Sequence, residues 1–398
     1  MALDILSEKG VPPERQRFTW RELAAKPYSK LDDDAFTRVR VVLMAGMEAE
    51  AVRFGRACAR MNGALQASLA RVRRVEQQQQ ILVNGLHPPD QSPLETTLAH
   101  VQASVELTAS VAQRESDGYL AQVYRFGLLE SFDHLYRFSA LADRVEGRDA
   151  NHILQSYTDV RPGRPTAVQH RDPLDDLRDH YDRTDALPLS KLQALVILAL
   201  AQQARDHSLA VGPGHPDPVG RRLYAEIASV EEQHVTQYES IIDPGETWLE
   251  KWLLHEAAEV YTYWSCAQQE GNRRLKAVWE RFVDYELGHL HLVMDLMKEH
   301  EGRDAAALLP PQLPDPLRFE SQREFIRRVL ADEVDLRAVG PRFIHKREEA
   351  ADAPSARYRE EVGAAGSPSE AAAEGYRYTP GTELAATRLG AGEEGRMQ

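Results

Sequence analysis

Residues 230–235 read VEEQHV, and residues 75–80 read VEQQQQ. Both phrases sit where aliphatic side chains recur every three or four positions, the period of one face of an α-helix. In each, an acid is followed three residues later by a second polar group on the same face. Aligning Glu76 with Glu231 gives an offset of 155 (231 − 76). The same offset lays residues 99–105 on 254–260, an offset of 154 lays 41–48 on 195–202, and one of 156 lays 129–133 on 285–289. A drift of one residue between helices is what single-residue loop changes produce, so the chain reads as a duplicated four-helix unit.

Composition sets the outer limits. The chain has 398 residues, enough for two domains, with 48 Lys and Arg against 62 Asp and Glu and a net charge of −14. Such a balance lacks the basic patches that displace phosphate counterions, so no nucleic-acid partner is expected. The start, MALDILSEKGVPPERQ, has no apolar core of the secretory kind, and the longest apolar run, residues 195–201, is too short to span a bilayer. A cytoplasmic protein without a membrane partner is expected. Its two cysteines, Cys58 and Cys266, supply neither a disulfide framework nor a zinc site and read as buried hydrophobes.

Turn chemistry divides the chain. Asn62-Gly63, His87-Pro88-Pro89-Asp90, Ser116-Asp117-Gly118, Gly212-Pro213-Gly214, Asp243-Pro244-Gly245 and Gly271-Asn272 separate helical stretches. The expected architecture is all-α: an irregular arm over residues 1–34, a first four-helix bundle over 35–160, a linker over 161–186, a second bundle over 187–308, further helices over 309–349 and a disordered tail over 350–398. The Pro-Gly-Arg stretch 161–164 reads as a stiff connection between bundles. Ala, Gly, Glu and Ser with few large aliphatics suggest the tail.

The second copy carries Glu231-x-x-His234 and Glu286-x-x-His289, with Glu256 between them. Positions i and i+3 share a helix face, and the intervals of 25 (256 − 231) and 30 (286 − 256) residues each fit one helix and a short loop. Here the chain resembles the ferritin-like di-iron carboxylate superfamily over roughly residues 35–308, as a tandem pair of bundles. The resemblance implies that Glu231 and Glu286 bridge two metal ions, that His234 and His289 each bind one, and that Glu256 is a terminal ligand. The first-helix position, a glutamate in that family, is Gln202. In the first copy Glu48, Glu76 and Glu130 retain carboxylates, Gln79 and Asp133 stand at the histidine positions, and Val101 at the third-helix position. His134, at i+4 from Glu130, could complete a weaker second site with Glu48, Glu76 and Glu130. The implied cofactor is iron, two ions, with manganese or zinc as alternatives. The implied activity is an oxidase or oxygenase that uses O2 or peroxide on Fe(II) or on a small organic substrate. Tyr238, one turn beyond His234, is a candidate electron relay, and Leu198, Trp264 and Val283 are candidates to line a substrate pocket. A homo-oligomer fits the same resemblance. The competing reading is a non-catalytic ferritin-like scaffold whose metal sites have decayed. His100 and His255, at equivalent places, read as packing residues, and Asp206 and His207 as a solvated helix end.

Overall fold

The computed structural model describes residues 3–31 and 34–378. After a single turn, α1 (Trp20–Leu23), eight helices carry the fold, with one further turn, α6 (Asn151–Leu154), between the fourth and fifth. They are α2 (Ala35–Met61), α3 (Gln66–Asn84), α4 (Pro93–Arg114), α5 (Gly118–Glu146), α7 (Pro188–Val211), α8 (Pro218–Ser240), α9 (Trp248–Gln269) and α10 (Arg273–Glu301). Asp117 and Asn272, from the turns named above, act as caps, and polar residues at the other helix starts do the same. Asp34, Asp117, Asp217 and Asn272 each accept hydrogen bonds from first-turn amides. Ser92 with Glu95, and Thr247 with Glu250, form capping boxes. The all-α expectation holds for most of the chain.

Helices α2, α4, α7 and α9 pack on one another at the centre, and each has a hairpin partner: α2 with α3, α4 with α5, α7 with α8, α9 with α10. Side chains from these hairpins then meet across the two halves of the sequence. The α2–α3 hairpin shares a buried polar centre with α9–α10, through Gln79 on α3 bonded to Glu48 and Glu286. The α4–α5 hairpin shares another with α7–α8, through His234 on α8 bonded to Glu130 on α5. Neither centre is built from the four long helices of one half of the sequence. This departs from the expected division into bundles over 35–160 and 187–308. Its physical basis is that a hairpin's apolar stripe specifies that a partner covers it without specifying which.

The segments before the two halves both pack against long helices. Residues 10–18 lie along α10 around Asp284 and Tyr285, and residues 161–176 penetrate beside α5, where Arg164, Thr166, Gln169 and Arg171 are buried. Glycine is required at both approaches: a Cβ at Gly10 would lie 2.2 Å from Asp284 O, and one at Gly163 would lie 2.4 Å from Leu129 O. Val11 N–H donates to Asp284 O and Arg164 N–H to Leu129 O. The two contacts are copies of each other. On α5 and α10 they fix an offset of 155 (284 − 129), one residue less than the best sequence match. Ser131, and not Glu130, therefore corresponds to Glu286, and His134 corresponds to His289.

Beyond α10, α11 (Arg323–Glu333) is followed by an antiparallel hairpin, β1 (Leu336–Val339) and β2 (Arg342–His345), where helix was expected. Gly340 turns it at φ 53°. Residues 350–378, expected to be disordered, form α12 (Pro354–Gly363) and α13 (Pro368–Ala372). Ser369 N–H donates to Glu226 of α8, and Ala372 is buried. Polar anchoring holds a segment that its low aliphatic content would not. Residues 379–398 of the expected tail lie outside the described residues. No described helix is long and apolar enough to cross a membrane.

Candidate metal centre

Between α2, α3, α9 and α10 five glutamates and one histidine face one another: Glu48, Glu76, Glu256, Glu259, Glu286 and His289, none more than 3% exposed. Each helix presents its groups on one face, since Glu256 and Glu259, and Glu286 and His289, are spaced i, i+3. Ligand atoms of Glu76, Glu256 and His289 all lie within 4.8 Å of one another, and so do those of Glu48, Glu259 and Glu286. His289 Nδ1 is 2.8 Å from Glu286 Oε2 and 3.6 Å from Glu256 Oε2. Among the described residues these carboxylates make ion pairs with His289 alone. Trp252 Nε1 donates to Glu256, Tyr263 O–H to Glu48, and the Gln79 amide to Glu48 and Glu286.

The charge is left uncompensated. Glu48 Oε2, Glu256 Oε2, both oxygens of Glu259 and Gln79 Oε1 are buried and make no hydrogen bond. Burial, reinforced by the neighbouring glutamates, holds Glu48, Glu256 and Glu259 well above the usual carboxylate range. Burial pushes Glu76 up to about 7 against the opposing pull of His289. Burial works against a charge on His289, and Glu286 overrides it to raise the imidazole. Clustered carboxylates without a counterion are costly in a protein interior, and a bound cation removes that cost. The donor set fits the metal pair that the resemblance implies: one position with two carboxylates and an imidazole, the other with oxygen donors only.

The centre between α4, α5, α7 and α8 is built differently. His134, Glu231, His234 and Glu130 form a chain: His134 Nδ1 to Glu231 at 2.9 Å, Glu231 to His234 Nδ1 at 3.1 Å, and His234 Nε2 to Glu130 at 2.9 Å. Arg171 Nη1 donates to both oxygens of Glu130, at 2.8 and 2.9 Å, and Arg164 adds a longer bond at 3.3 Å. Despite burial, Arg171 holds Glu130 well below the carboxylate range. Despite burial, Glu231 lifts His234 to about 9 and is itself lowered to about 2. Here arginine side chains are ion-paired to the buried carboxylate, as none is in the other centre among the described residues. In this register Gln202, Val101, Ser104 and Ser131 take the places of Glu48, Glu256, Glu259 and Glu286, so four carboxylates are lost.

No protein-family model, curated protein or solved structure matches the chain.

The sequence-derived site residues are thus divided. Glu256, Glu286 and His289 are brought together with Glu48 and Glu76, which had been assigned to the weaker site. Glu231 and His234 join Glu130 and His134 instead, and Gln202 is buried with its Oε1 unbonded. Asp133 accepts from Gly163 N–H, Thr166 and Arg137, and so anchors the linker. Tyr238 lies by His234, with ring centroids 6.2 Å apart, in the arginine-filled centre. Tyr263, which sequence reading did not single out, bonds Glu48 in the carboxylate centre. Glu259 was also missed, although its i+3 spacing from Glu256 was visible. Leu198 lines a cleft with Leu195, Leu254 and His255, a set that includes neither Trp264 nor Val283.

Proposed function

We propose that the cluster between α2, α3, α9 and α10 is a ferritin-like dinuclear metal centre and that the chain is an oxidoreductase acting through it. The observation that carries this reading is the set of five buried carboxylates, converging with no arginine or lysine ion-paired to them among the described residues, in two groups of ligand spacing. One ion would be held by Glu76, Glu256 and His289, the other by Glu48, Glu259 and Glu286. Two divalent cations would nearly balance the five negative charges. Oxygen donors and one imidazole suit iron, with manganese or zinc as alternatives. Iron bound there would supply redox chemistry with O2 or peroxide, directed at Fe(II) itself or at a small organic substrate.

The chain's own residues have separate tasks. Burial of all six donors keeps bulk water from them. The donors on Trp252, Tyr263 and Gln79 fix Glu256, Glu48 and Glu286, leaving particular oxygens free to bind metal. Gln79 makes the Glu48–Glu259–Glu286 position the less nitrogen-rich of the two. Anaerobic Fe(II) titration tests this reading. Wild type is expected to bind two ions per chain, and Glu259→Gln to lose one tight site; saturation of both proteins at the same stoichiometry and affinity would refute the assignment.

The scaffold reading is favoured only for the other centre, where Arg171 and Arg164 satisfy Glu130. That half is proposed to be structural.

A further inference from the structure

We infer that Gln16, from the segment preceding α2, is a positioning residue of the metal centre that fixes which nitrogen of His289 faces the metal; the inference rests on the dinuclear reading above. Gln16 is 3% exposed, and its side-chain amide donates to Val11 O at 2.8 Å and to Tyr285 O at 2.9 Å. Two carbonyls can only accept, so the amide nitrogen must face them and Oε1 must point the other way. Oε1 lies 2.7 Å from His289 Nε2. That contact requires a proton on Nε2, so Nδ1, which bonds Glu286 and lies near Glu256, is the nitrogen that a bound cation would take in exchange for a proton. The segment is fitted to this place: a Cβ on Gly288, the residue before His289, would lie 1.8 Å from Val11 O. Phe18 packs edge-on against Phe282 and Tyr285, and Arg281 pairs with Glu22.

The other half supplies an independent copy. Gln169 lies 153 residues after Gln16 (169 − 16), each is 19 residues before its first long helix (35 − 16 and 188 − 169), and each follows a short 3-10 turn, Pro13–Arg15 or Thr166–Val168. The Gln169 amide donates to Arg164 O and Glu130 O, and its Oε1 is 2.8 Å from His134 Nε2. Val11, Tyr285 and His289 correspond in turn to Arg164, Glu130 and His134. The same three-bond device therefore orients the corresponding histidine twice, and only at His289 does the oriented nitrogen face a carboxylate cluster free of arginine.

Co(II) is the probe for the test, with the full-length chain. In the Co(II)-loaded wild type, proton NMR should show a hyperfine-shifted imidazole N–H that exchanges slowly with solvent, lost in His289→Ala. Gln16→Met should lose that signal to exchange and bind Co(II) roughly 10- to 100-fold more weakly. Gln169→Met, at the other centre, should leave signal and affinity unchanged. A wild type that binds Co(II) but lacks the slowly exchanging signal overturns the role of Gln16 even if the Met variant does not fold. Unchanged signal and affinity in Gln16→Met do the same while leaving the metal reading intact. A wild type that binds no Co(II) overturns both.

Discussion

Glu286 and Glu130 are both fully buried, yet they face opposite surroundings, and the difference decides what each does. Glu286 meets other carboxylates and one histidine, whereas Glu130 meets Arg171, Arg164 and His234. Glu286→Ala is accordingly expected to abolish bound metal, measured as metal per chain. Glu130→Ala is expected to leave the metal content unchanged and instead to remove the carboxylate that two buried guanidinium groups share, leaving Arg171 with Asp176 alone as its ion-pair partner. Its cost, read from denaturant unfolding, should be about 3–5 kcal/mol; a loss below about 1 kcal/mol would show that water compensates the arginines. Gly288→Ala should displace the Val11 carbonyl, since no Cβ fits beside it. Its expected signature is weaker metal binding with helix content preserved, and metal affinity equal to wild type would contradict the close approach. Glu256, Glu286 and His289 were legible in sequence through their spacing on successive helices and not through Glu-x-x-His alone, since Glu231-x-x-His234 has the same motif and sits in the arginine-filled centre. Arg164 and Arg171 were not. An arginine near prolines reads as solvated linker until its depth is known.

At the scale of elements, the eight long helices and their breaks followed from periodicity and from Asn, Asp, Gly and Pro at the ends. Which hairpins share a centre did not follow, because an amphipathic stripe is satisfied by any complementary stripe. The α5 register was also one residue out. Glu130 and Glu286 align best by identity, while the backbone contacts of Gly163 and Gly10 require Ser131 to match Glu286. The β1–β2 hairpin escaped notice because its strands have four residues each, too few for alternation to show. The pairing has a testable consequence. A fragment of residues 187–308 contains α7 to α10 but lacks α2–α3 and α4–α5, so it should not unfold cooperatively or hold metal. Cooperative unfolding with bound metal from this fragment alone would restore the consecutive-bundle arrangement.

For the whole molecule, the carboxylate centre couples stability to pH and, on the proposed reading, to metal. Glu76 is raised from 4.5 to about 7 by burial, and Glu106, bonded to Thr158 and to Gln322 N–H, is raised by burial to the same level. For an acid whose folded value lies above its unfolded value, the native state holds the proton more tightly. Its contribution is full below about pH 4.5 and is lost as the pH rises through about 7, by about 3 kcal/mol for each such group. The metal-free protein should therefore lose stability between pH 5 and 8. Bound metal should cancel the part due to its ligands and leave the part due to Glu106. A metal-free protein that grows more stable over that range would show the carboxylates to be compensated by something else. The central claim, that the metal lies between hairpins from opposite halves of the chain, is tested most directly by anomalous diffraction at the iron edge on protein from iron-supplemented cells. Two peaks about 3.5–4 Å apart are expected among Glu48, Glu76, Glu256, Glu259, Glu286 and His289, and none at Glu130 and His234. Peaks at the latter pair, or no peak in the carboxylate cluster, would contradict it.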